Sequence, residues 1–283
     1  MPEGHTLHAL AGSLQRAFAG RPVAVSSPQA RFTEGAAVLD GRVLHEVTAW
    51  GKHLFAEFDG EAWLNVHLGI SGKLSVSRHH LTQQPDGPVP WPPLRSPSVR
   101  LRLLNSEWVG DLVGTQFLSV LTPDEVVAIH QRLGPDPLRP DADPALAWSR
   151  LSQSSRSIAE LLMDQSVVSG IGNVYRSELL YRHRVDPFRP GREIRHTTWT
   201  SIWHDVVALM PLGVAAGQII TVADQVEAAT AELAATGTVT PPPRQHYVYK
   251  RTGEPCLVCG SRVRTTVVAT RNLFWCGRCQ RRR

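Results

Sequence analysis

The stretch that decides the fold at the C-terminal end is Cys256-Leu257-Val258-Cys259 and, sixteen residues later, Cys276-Gly277-Arg278-Cys279. These are all four cysteines of the 283-residue chain. Two Cys-x2-Cys pairs at this distance are typical of a zinc ribbon, in which two knuckles give four thiolates to one ion. Because no His or carboxylate stands beside these cysteines in the sequence, their spacing predicts a closed structural zinc site. Two disulfides are the alternative, which an intracellular redox environment disfavours.

The charge of the chain is concentrated around these cysteines. Residues 244–283 carry ten Lys and Arg against one acid, whereas the remaining 243 residues carry 20 basic and 24 acidic groups. A basic end of this kind favours contact with a polyanion. A basic tail that only aids solubility is the alternative. Arg271, between the two knuckles, is positioned to bind a phosphate or to be a solvated surface residue.

Upstream of the ribbon, the sequence pattern predicts two further domains. Apolar residues recur at helical spacing over residues 3–19, and short strand-like runs separated by turn signals fill residues 21–120. Such runs are typical of a sandwich or a barrel. Residues 123–230 become helical. We predict separate helices at Ile158–Gln165, Trp199–Met210 and Val214–Ile220, with a Pro/Thr linker at Thr236–Pro243. The predicted domains are residues 1–122, 123–243 and 244–283.

The N-terminus begins Met1-Pro2-Glu3-Gly4. An initiator Met before Pro is normally removed, which leaves the secondary amine of Pro2 free and next to a carboxylic acid. An amine that titrates near neutral pH beside an acid is suited to imine chemistry at a sugar carbon. The alternative is that Pro2 only permits Met removal and Glu3 only begins a helix.

Two glycines in Gly170-Ile171-Gly172-Asn173 precede a predicted helix. Glycines let backbone N–H groups approach a ligand, and a helix N-terminus attracts an anion. We interpret this turn as a helix–turn–helix-like element that holds a backbone phosphate, with an N-cap that binds no ligand as the alternative. The chain has no apolar run long enough to cross a membrane and no signal-peptide layout, so we expect a soluble cytoplasmic protein.

Together these motifs resemble the formamidopyrimidine-DNA glycosylase/endonuclease VIII family of base-excision repair enzymes. The resemblance also includes Gly51-Lys52-His53-Leu54, His67-Leu68-Gly69-Ile70-Ser71-Gly72 and Leu133–Leu138, and it covers essentially the whole chain. Pro-Glu-Gly at the N-terminus indicates the endonuclease VIII branch, which removes mainly oxidised pyrimidines. The family implies an α+β multidomain fold: an N-terminal β-sandwich with an N-terminal helix, a helix–two-turn–helix domain and a zinc ribbon, with DNA between the two lobes.

The resemblance also implies the role of each residue. The Pro2 nitrogen attacks C1′ of the damaged nucleotide, and Glu3 is the general acid/base. Lys52, in a hairpin between Trp50 and Phe55, binds a phosphate near the lesion and assists catalysis. Elimination of the 3′ and then the 5′ phosphate leaves a gap. Asn173 and Arg271 bind flanking phosphates, and Ile70 is an apolar wedge that fills the space of the extruded base. A core strand residue is the alternative for Ile70.

Two positions depart from the family pattern. Thr6 stands where the family usually has a second acid, and the usual Arg/Phe intercalating loop is not evident near Asp111–Gly114. These departures leave the opposite-base preference unpredicted.

The sequence therefore supports a bifunctional glycosylase and abasic-site lyase that acts on damaged DNA with one structural zinc ion. We expect a monomer that associates with the nucleoid. A purine-type specificity, for 8-oxoguanine or formamidopyrimidine, is the alternative within the family. A catalytically inactive zinc-ribbon DNA-binding protein is the alternative from another class, and the presence of Pro2, Glu3 and Lys52 together argues against it.

Overall fold

A computed structural model describes residues 2–79 and 92–281. Met1, whose removal the sequence predicts, lies outside these residues. The chain divides into two compact units, Met1–Pro2 with Leu7–Gln131, and Glu3–Thr6 with Arg132–Arg283. The predicted domain boundaries at residues 122 and 243 stay predictions. Within the described residues, no helix has both the length and the apolar character needed to span a bilayer.

The first unit consists of two antiparallel sheets and flanking helices. One sheet has the strand order β1-β3-β4-β5-β9 and the other the order β2-β7-β8-β6. The elements are α1 (Gly4–Phe18), β1 (Arg21–Pro22), β2 (Ala24–Ser26), α2 (Thr33–Leu39), β3 (Val43–Trp50), β4 (His53–Phe58), β5 (Ala62–His67), β6 (Lys73–Arg78), β7 (Val99–Leu104), β8 (Trp108–Val113), β9 (Phe117–Leu121) and α3 (Pro123–Arg132).

The two sheets share one hydrophobic core, which identifies a sandwich rather than a barrel. Leu54 and Leu64 come from the five-stranded sheet, and Leu101 and Leu112 from the four-stranded sheet. Leu7, Leu14 and Phe18 of α1 are buried in the same cluster. The predicted fold class, including the N-terminal helix, is therefore confirmed.

The second unit is helical and ends in a two-stranded hairpin. Its elements are α4 (Pro144–Ser152), α5 (Ile158–Leu161), α6 (Asn173–Arg182), a 3-10 turn (Gly191–Glu193), α7 (His196–Ala216), α8 (Ala223–Thr236), β10 (Val263–Val268) and β11 (Arg271–Cys276). The helices pack around Tyr175, Leu179, Trp199 and Met210. The ribbon has a small core of its own with Val248, Val263 and Phe274.

Three of the predicted helices differ from the structure. The helix predicted over Ile158–Gln165 ends after one turn, because Asp164 accepts hydrogen bonds from the following backbone and leads the chain into turns. The helices predicted at Trp199–Met210 and Val214–Ile220 are one helix, α7, which continues through Pro211 and ends before Gly217 (φ 66°). Burial of its apolar residues outweighs the hydrogen bond that Pro211 removes.

Candidate active site

The Glu3 carboxylate lies at the N-terminus of α6. It is fully buried and accepts three backbone hydrogen bonds, from Gly172 (2.8 Å) and Tyr175 (3.3 Å) at Oε2 and from Val174 (2.7 Å) at Oε1. These N–H groups have no partner within the helix, and the positive end of the helix dipole attracts a negative charge. The first turn of α6 therefore fixes the position of both carboxylate oxygens.

The glycines of the turn make room for this N-terminal segment. A Cβ atom at Gly172 would lie 2.4 Å from Cδ of Glu3, and one at Gly4 would lie 2.8 Å from Cα of Gly170. Gly4 also donates a backbone hydrogen bond of 2.8 Å to the Gly170 carbonyl. The interpretation of this turn as a phosphate site is wrong for these N–H groups, because the anion they bind is the chain's own Glu3.

His5 and Thr6 follow Glu3 in the same unit. His5 is buried, and its ring meets the ring of Tyr175 edge to face with centroids 5.7 Å apart. The Thr6 hydroxyl is 3.3 Å from Nε2 of His5. Burial, together with the nearby Glu3 carboxylate, raises the pKa of Tyr175 well above its ordinary value. Thr6, which stands where the family usually has a second acid, thus contacts the buried His5.

Pro2 and Lys52 belong to the first unit. Pro2 is half-buried and lies two residues before the start of α1 at Gly4. Lys52 is half-buried in the two-residue turn between β3 and β4, where Trp50 pairs with His53. Gly51 adopts φ 60°, the left-handed conformation that glycine accepts in such tight hairpin turns. The predicted hairpin at Lys52 is therefore present.

Ile70 lies in the turn between β5 and β6 and is 58% exposed, which excludes the alternative of a core strand residue. The aromatic side chain of Phe117, the first residue of β9, is 59% exposed. A short connection joins β8 to β9, in keeping with the absence of the Arg/Phe loop from the sequence.

The side chain of Asn173, the first residue of α6, binds protein groups. It is 4% exposed, and its Nδ2 donates a hydrogen bond of 2.9 Å to the Asn272 carbonyl of β11. Its Oδ1 accepts a hydrogen bond from Arg176. The side chain thus ties α6 to the hairpin. Direct phosphate binding by Asn173 stays a prediction, and it requires the side-chain amide to leave Asn272.

Arg271 begins β11 at the tip of the ribbon hairpin. The two turn residues before it, Ala269 and Thr270, have φ of 52° and 59°, a strained conformation for non-glycine residues. No carboxylate in the described part of the chain forms an ion pair with Arg271. The hairpin therefore presents a cation available to an anionic ligand.

Arg176 is a fully buried cation close to this tip, and sequence reasoning gave it no role. It donates a hydrogen bond of 3.2 Å to the Val268 carbonyl. Burial, then the charge of Arg271, lowers its pKa to about 10 although Glu3 acts in the opposite direction. Arg176 therefore stays charged at neutral pH. Two cations held near each other attract an anion such as phosphate. In the sequence, the only indication of this arrangement was that Arg176 is a charged residue of a predicted helix.

Glu178 connects α6 to the chain that enters the ribbon. Its buried carboxylate accepts backbone hydrogen bonds from Tyr247, Val248 and Tyr249 at 2.8–3.0 Å, and a further one from the Thr221 hydroxyl at 2.8 Å. The loop before the first knuckle is thereby fixed to the helix that binds Glu3.

The four cysteines form one cluster and none is in a disulfide. Their Sγ atoms all lie within 4.8 Å of one another, with Cys256 and Cys279 3.9 Å apart and Cys259 and Cys276 3.4 Å apart. Four thiolates around zinc at ~2.3 Å in a tetrahedron lie ~3.8 Å from one another. The cluster therefore fits a tetrahedral zinc ion.

Thiol ionisation adds to this fit. A hydrogen bond from the Ser261 backbone lowers the pKa of Cys259 to about 6, so this ligand is already a thiolate at neutral pH. Burial raises the pKa of Cys279 to about 12, so a metal ion must displace its proton.

Three family models match the chain in order. The formamidopyrimidine-DNA glycosylase N-terminal domain matches residues 1–110, the formamidopyrimidine-DNA glycosylase H2TH domain matches 133–224, and a zinc finger found in FPG and IleRS matches 253–282.

The relatives match most or nearly all of the chain. Endonuclease 8 1 of Mycobacterium tuberculosis is 46% identical over 280 residues, 99% of this chain and 100% of that protein. A formamidopyrimidine-DNA glycosylase of Methylococcus capsulatus is 30% identical over 86% of this chain and 84% of its own length. The solved complex of Lactococcus lactis Fpg with DNA containing an abasic site has the same fold, with a TM-score of 0.76 and 20% identity over 99% of this chain and 100% of that one.

Proposed function

We propose that this chain, which belongs to the formamidopyrimidine-DNA glycosylase/endonuclease VIII family, removes oxidised pyrimidines from DNA. As a member it is a DNA N-glycosylase and abasic-site lyase of base-excision repair. The lesion class is inferred from the 46% identity to a protein named endonuclease 8, against 30% to one named formamidopyrimidine-DNA glycosylase. The Pro-Glu-Gly start supports the same branch.

The observation that carries the chemistry is the buried Glu3 carboxylate on three N–H donors. The first turn of α6 holds it in one orientation, as a group that exchanges protons with a reacting sugar requires. Glu3 directly follows Pro2 in the chain, so the same turn also restricts the position of the amine. A pure DNA-binding protein has no need of this arrangement.

The reaction proceeds through an imine. The Pro2 nitrogen, freed by removal of Met1, forms a bond to C1′ as the bond from C1′ to the damaged base breaks. The sugar ring then opens, as the Glu3 carboxylate takes the proton that the Pro2 nitrogen loses and passes it to the ring oxygen. Loss of a proton from C2′ expels the 3′ phosphate, and a second elimination expels the 5′ phosphate. Water finally hydrolyses the imine and restores Pro2.

Phosphate contacts hold the DNA during these steps. Lys52 at its hairpin turn and Arg271 at the ribbon tip supply cations for phosphates near the lesion. Asn173, which contacts Asn272 next to Arg271, binds a further phosphate. Ile70, exposed in its turn, fills the space that the damaged nucleotide leaves. One zinc ion held by the four cysteines stabilises the ribbon that carries Arg271. The protein acts as a monomer in the cytoplasm, on nucleoid DNA.

The lesion class is tested by excision from matched duplexes. One duplex carries a single oxidised pyrimidine such as thymine glycol, and the other carries 8-oxoguanine in the same sequence. We expect kcat/KM to be about tenfold or more higher for the pyrimidine. Equal or reversed values would assign the purine-type specificity instead. If the enzyme cleaves by β,δ-elimination, gels of the products from the pyrimidine duplex will show a strand fragment that ends in a 3′ phosphate.

A further inference from the structure

Tyr181, in the last turn of α6, reaches the predicted zinc site from outside the ribbon. Its side chain is 1% exposed and belongs to the ribbon's core cluster. The hydroxyl oxygen lies 3.0 Å from Sγ of Cys256. Neither the family chemistry nor the cysteine spacing gives this residue a role.

The ring of Tyr181 is held so that its hydroxyl cannot turn away from the sulfur. One neighbour is Tyr247, whose ring stacks on it with centroids 4.9 Å apart and planes inclined by 26°. Another is Arg184, whose guanidinium carbon lies 4.8 Å from the ring centroid. Such packing fixes both side-chain torsions of a tyrosine. The contact with Cys256 is therefore a built feature of this unit.

The chemistry of the two atoms fixes the direction of the hydrogen bond. A thiolate bound to zinc has no proton to give and only accepts, whereas a tyrosine hydroxyl is a donor. Four thiolates around one Zn²⁺ carry two net negative charges. Donors beyond the ligands reduce this charge and orient the ligand, and their loss typically weakens metal binding 10- to 100-fold.

We propose that Tyr181 is a positioning residue of the zinc site, whose O–H···S hydrogen bond holds Cys256 on the metal. This inference rests on the proposed zinc ion and is independent of the lesion class. The same helix then secures the ribbon at two points, since Asn173 binds Asn272 near the hairpin tip and Tyr181 binds the first knuckle. The two points are eight residues apart, which is ~12 Å along a helix.

Zinc release measures this bond without using DNA. The full-length zinc-loaded protein is mixed with an excess of a metallochromic chelator, and release is followed for wild type, Tyr181→Phe and Tyr247→Phe. Tyr181→Phe keeps the ring and removes only the hydroxyl. Tyr247→Phe is the matched control, because its hydroxyl lies in the same stack but accepts from the Ala223 backbone (3.0 Å) rather than contacting sulfur.

We expect Tyr181→Phe to bind zinc with unchanged stoichiometry and to release it about tenfold faster than wild type. Tyr247→Phe is expected to stay within about twofold of wild type, since no sulfur contact is lost. Cobalt substitution gives a second readout, because loss of a donor to one thiolate shifts the sulfur-to-cobalt charge-transfer band in Tyr181→Phe only.

Three results would overturn the inference. Equal release from wild type and Tyr181→Phe would make the contact simple packing. Equally fast release from both variants would assign the effect to the aromatic stack. Failure of the purified wild-type protein to bind zinc would contradict the premise that these cysteines hold a zinc ion. Excision from the oxidised-pyrimidine duplex is measured on the same preparations, so failure here is distinguishable from failure of the proposed function.

Discussion

Oε1 of Glu3 accepts a 2.7 Å hydrogen bond from the backbone N–H of Val174, 171 residues away in the chain. This bond, with those from Gly172 and Tyr175, joins the segment Glu3–Thr6 to the first turn of α6. The position of the predicted acid/base therefore depends on a helix whose sequence gives no indication of that role.

Gly172→Ala is expected to reduce excision about 100-fold or more, because the added Cβ would lie 2.4 Å from Cδ of Glu3 and displace the carboxylate. Excision rates on one damaged duplex measure the effect. Gly12→Ala is the control: its Cβ meets nothing closer than 3.4 Å within α1, and alanine favours a helix. Equal activity of the two variants would show that Glu3 tolerates displacement.

Glu3→Gln is expected to lower the rate of base release by roughly 10²–10⁴-fold. The substitution keeps the size of the side chain but removes the charge and sets an NH2 group against backbone donors. We also expect a loss of about 1–3 kcal/mol in the free energy of unfolding, because one donor then loses its acceptor. Base release and denaturant unfolding are measured on the same preparation. A Glu3→Gln variant with normal activity and normal stability would show that Glu3 contributes neither to base release nor to the stability of the fold.

Arg271→Ala is expected to weaken binding to damaged DNA without changing the zinc content, since Arg271 lies at the hairpin tip and the cysteines at its other end. The plot of log affinity against log salt concentration has a negative slope, and its magnitude should fall by about one, as expected for the loss of one phosphate contact. Arg262→Ala, an exposed arginine of the same ribbon, is the control. An unchanged slope for Arg271→Ala would exclude it from phosphate binding.

Ile70→Ala is expected to slow excision from a duplex roughly tenfold, because an apolar wedge offsets the cost of extruding a stacked nucleotide. A single strand with the same lesion needs no such wedge, so its excision should change little. The ratio of the two rates is the measurement. Equal slowing on both substrates would indicate a general folding defect at the turn.

The stability of the first unit should fall as the pH is lowered from 6.5 to 4. Burial, then the charges of His53 and Lys52, lowers the pKa of His67 from 6.5 to about 4. Between these values the unfolded chain binds a proton that the folded chain resists, so acid favours unfolding. Urea midpoints at several pH values should depend less on pH in His67→Asn than in wild type. His204→Asn, exposed on α7, is the control. An unchanged pH dependence in His67→Asn would contradict this account.

The sequence predicted features that depend on neighbouring residues. The cysteine spacing predicted the cluster of Cys256, Cys259, Cys276 and Cys279, and the resemblance of a short motif placed Lys52 in a hairpin. These succeed because a short segment contains all the required information. The strand-like runs predicted a sandwich or a barrel, the resemblance implied the sandwich, and the shared core of the two sheets identifies it.

Long-range contacts could not be predicted in this way. The glycines before α6 were interpreted as a phosphate site, whereas their N–H groups bind Glu3 from the other end of the sequence. Asn173 was expected to face DNA, but its amide binds Asn272. Arg176 and Tyr181 looked like ordinary helix residues, and only the folded helix brings them to Val268 and Cys256. The helices predicted separately at Trp199–Met210 and Val214–Ile220 are likewise joined into one helix by tertiary burial.

Borohydride trapping on a duplex with one abasic site tests the central claim most directly, because it captures the imine between enzyme and sugar. The Met-processed protein, with its Pro2 N-terminus confirmed by mass, is compared with a Pro2→Gly variant and with protein that retains Met1. We predict a covalent adduct through Pro2 in the processed protein and little or none in the other two. No adduct from a DNA-binding protein with a confirmed Pro2 N-terminus would contradict the proposed mechanism.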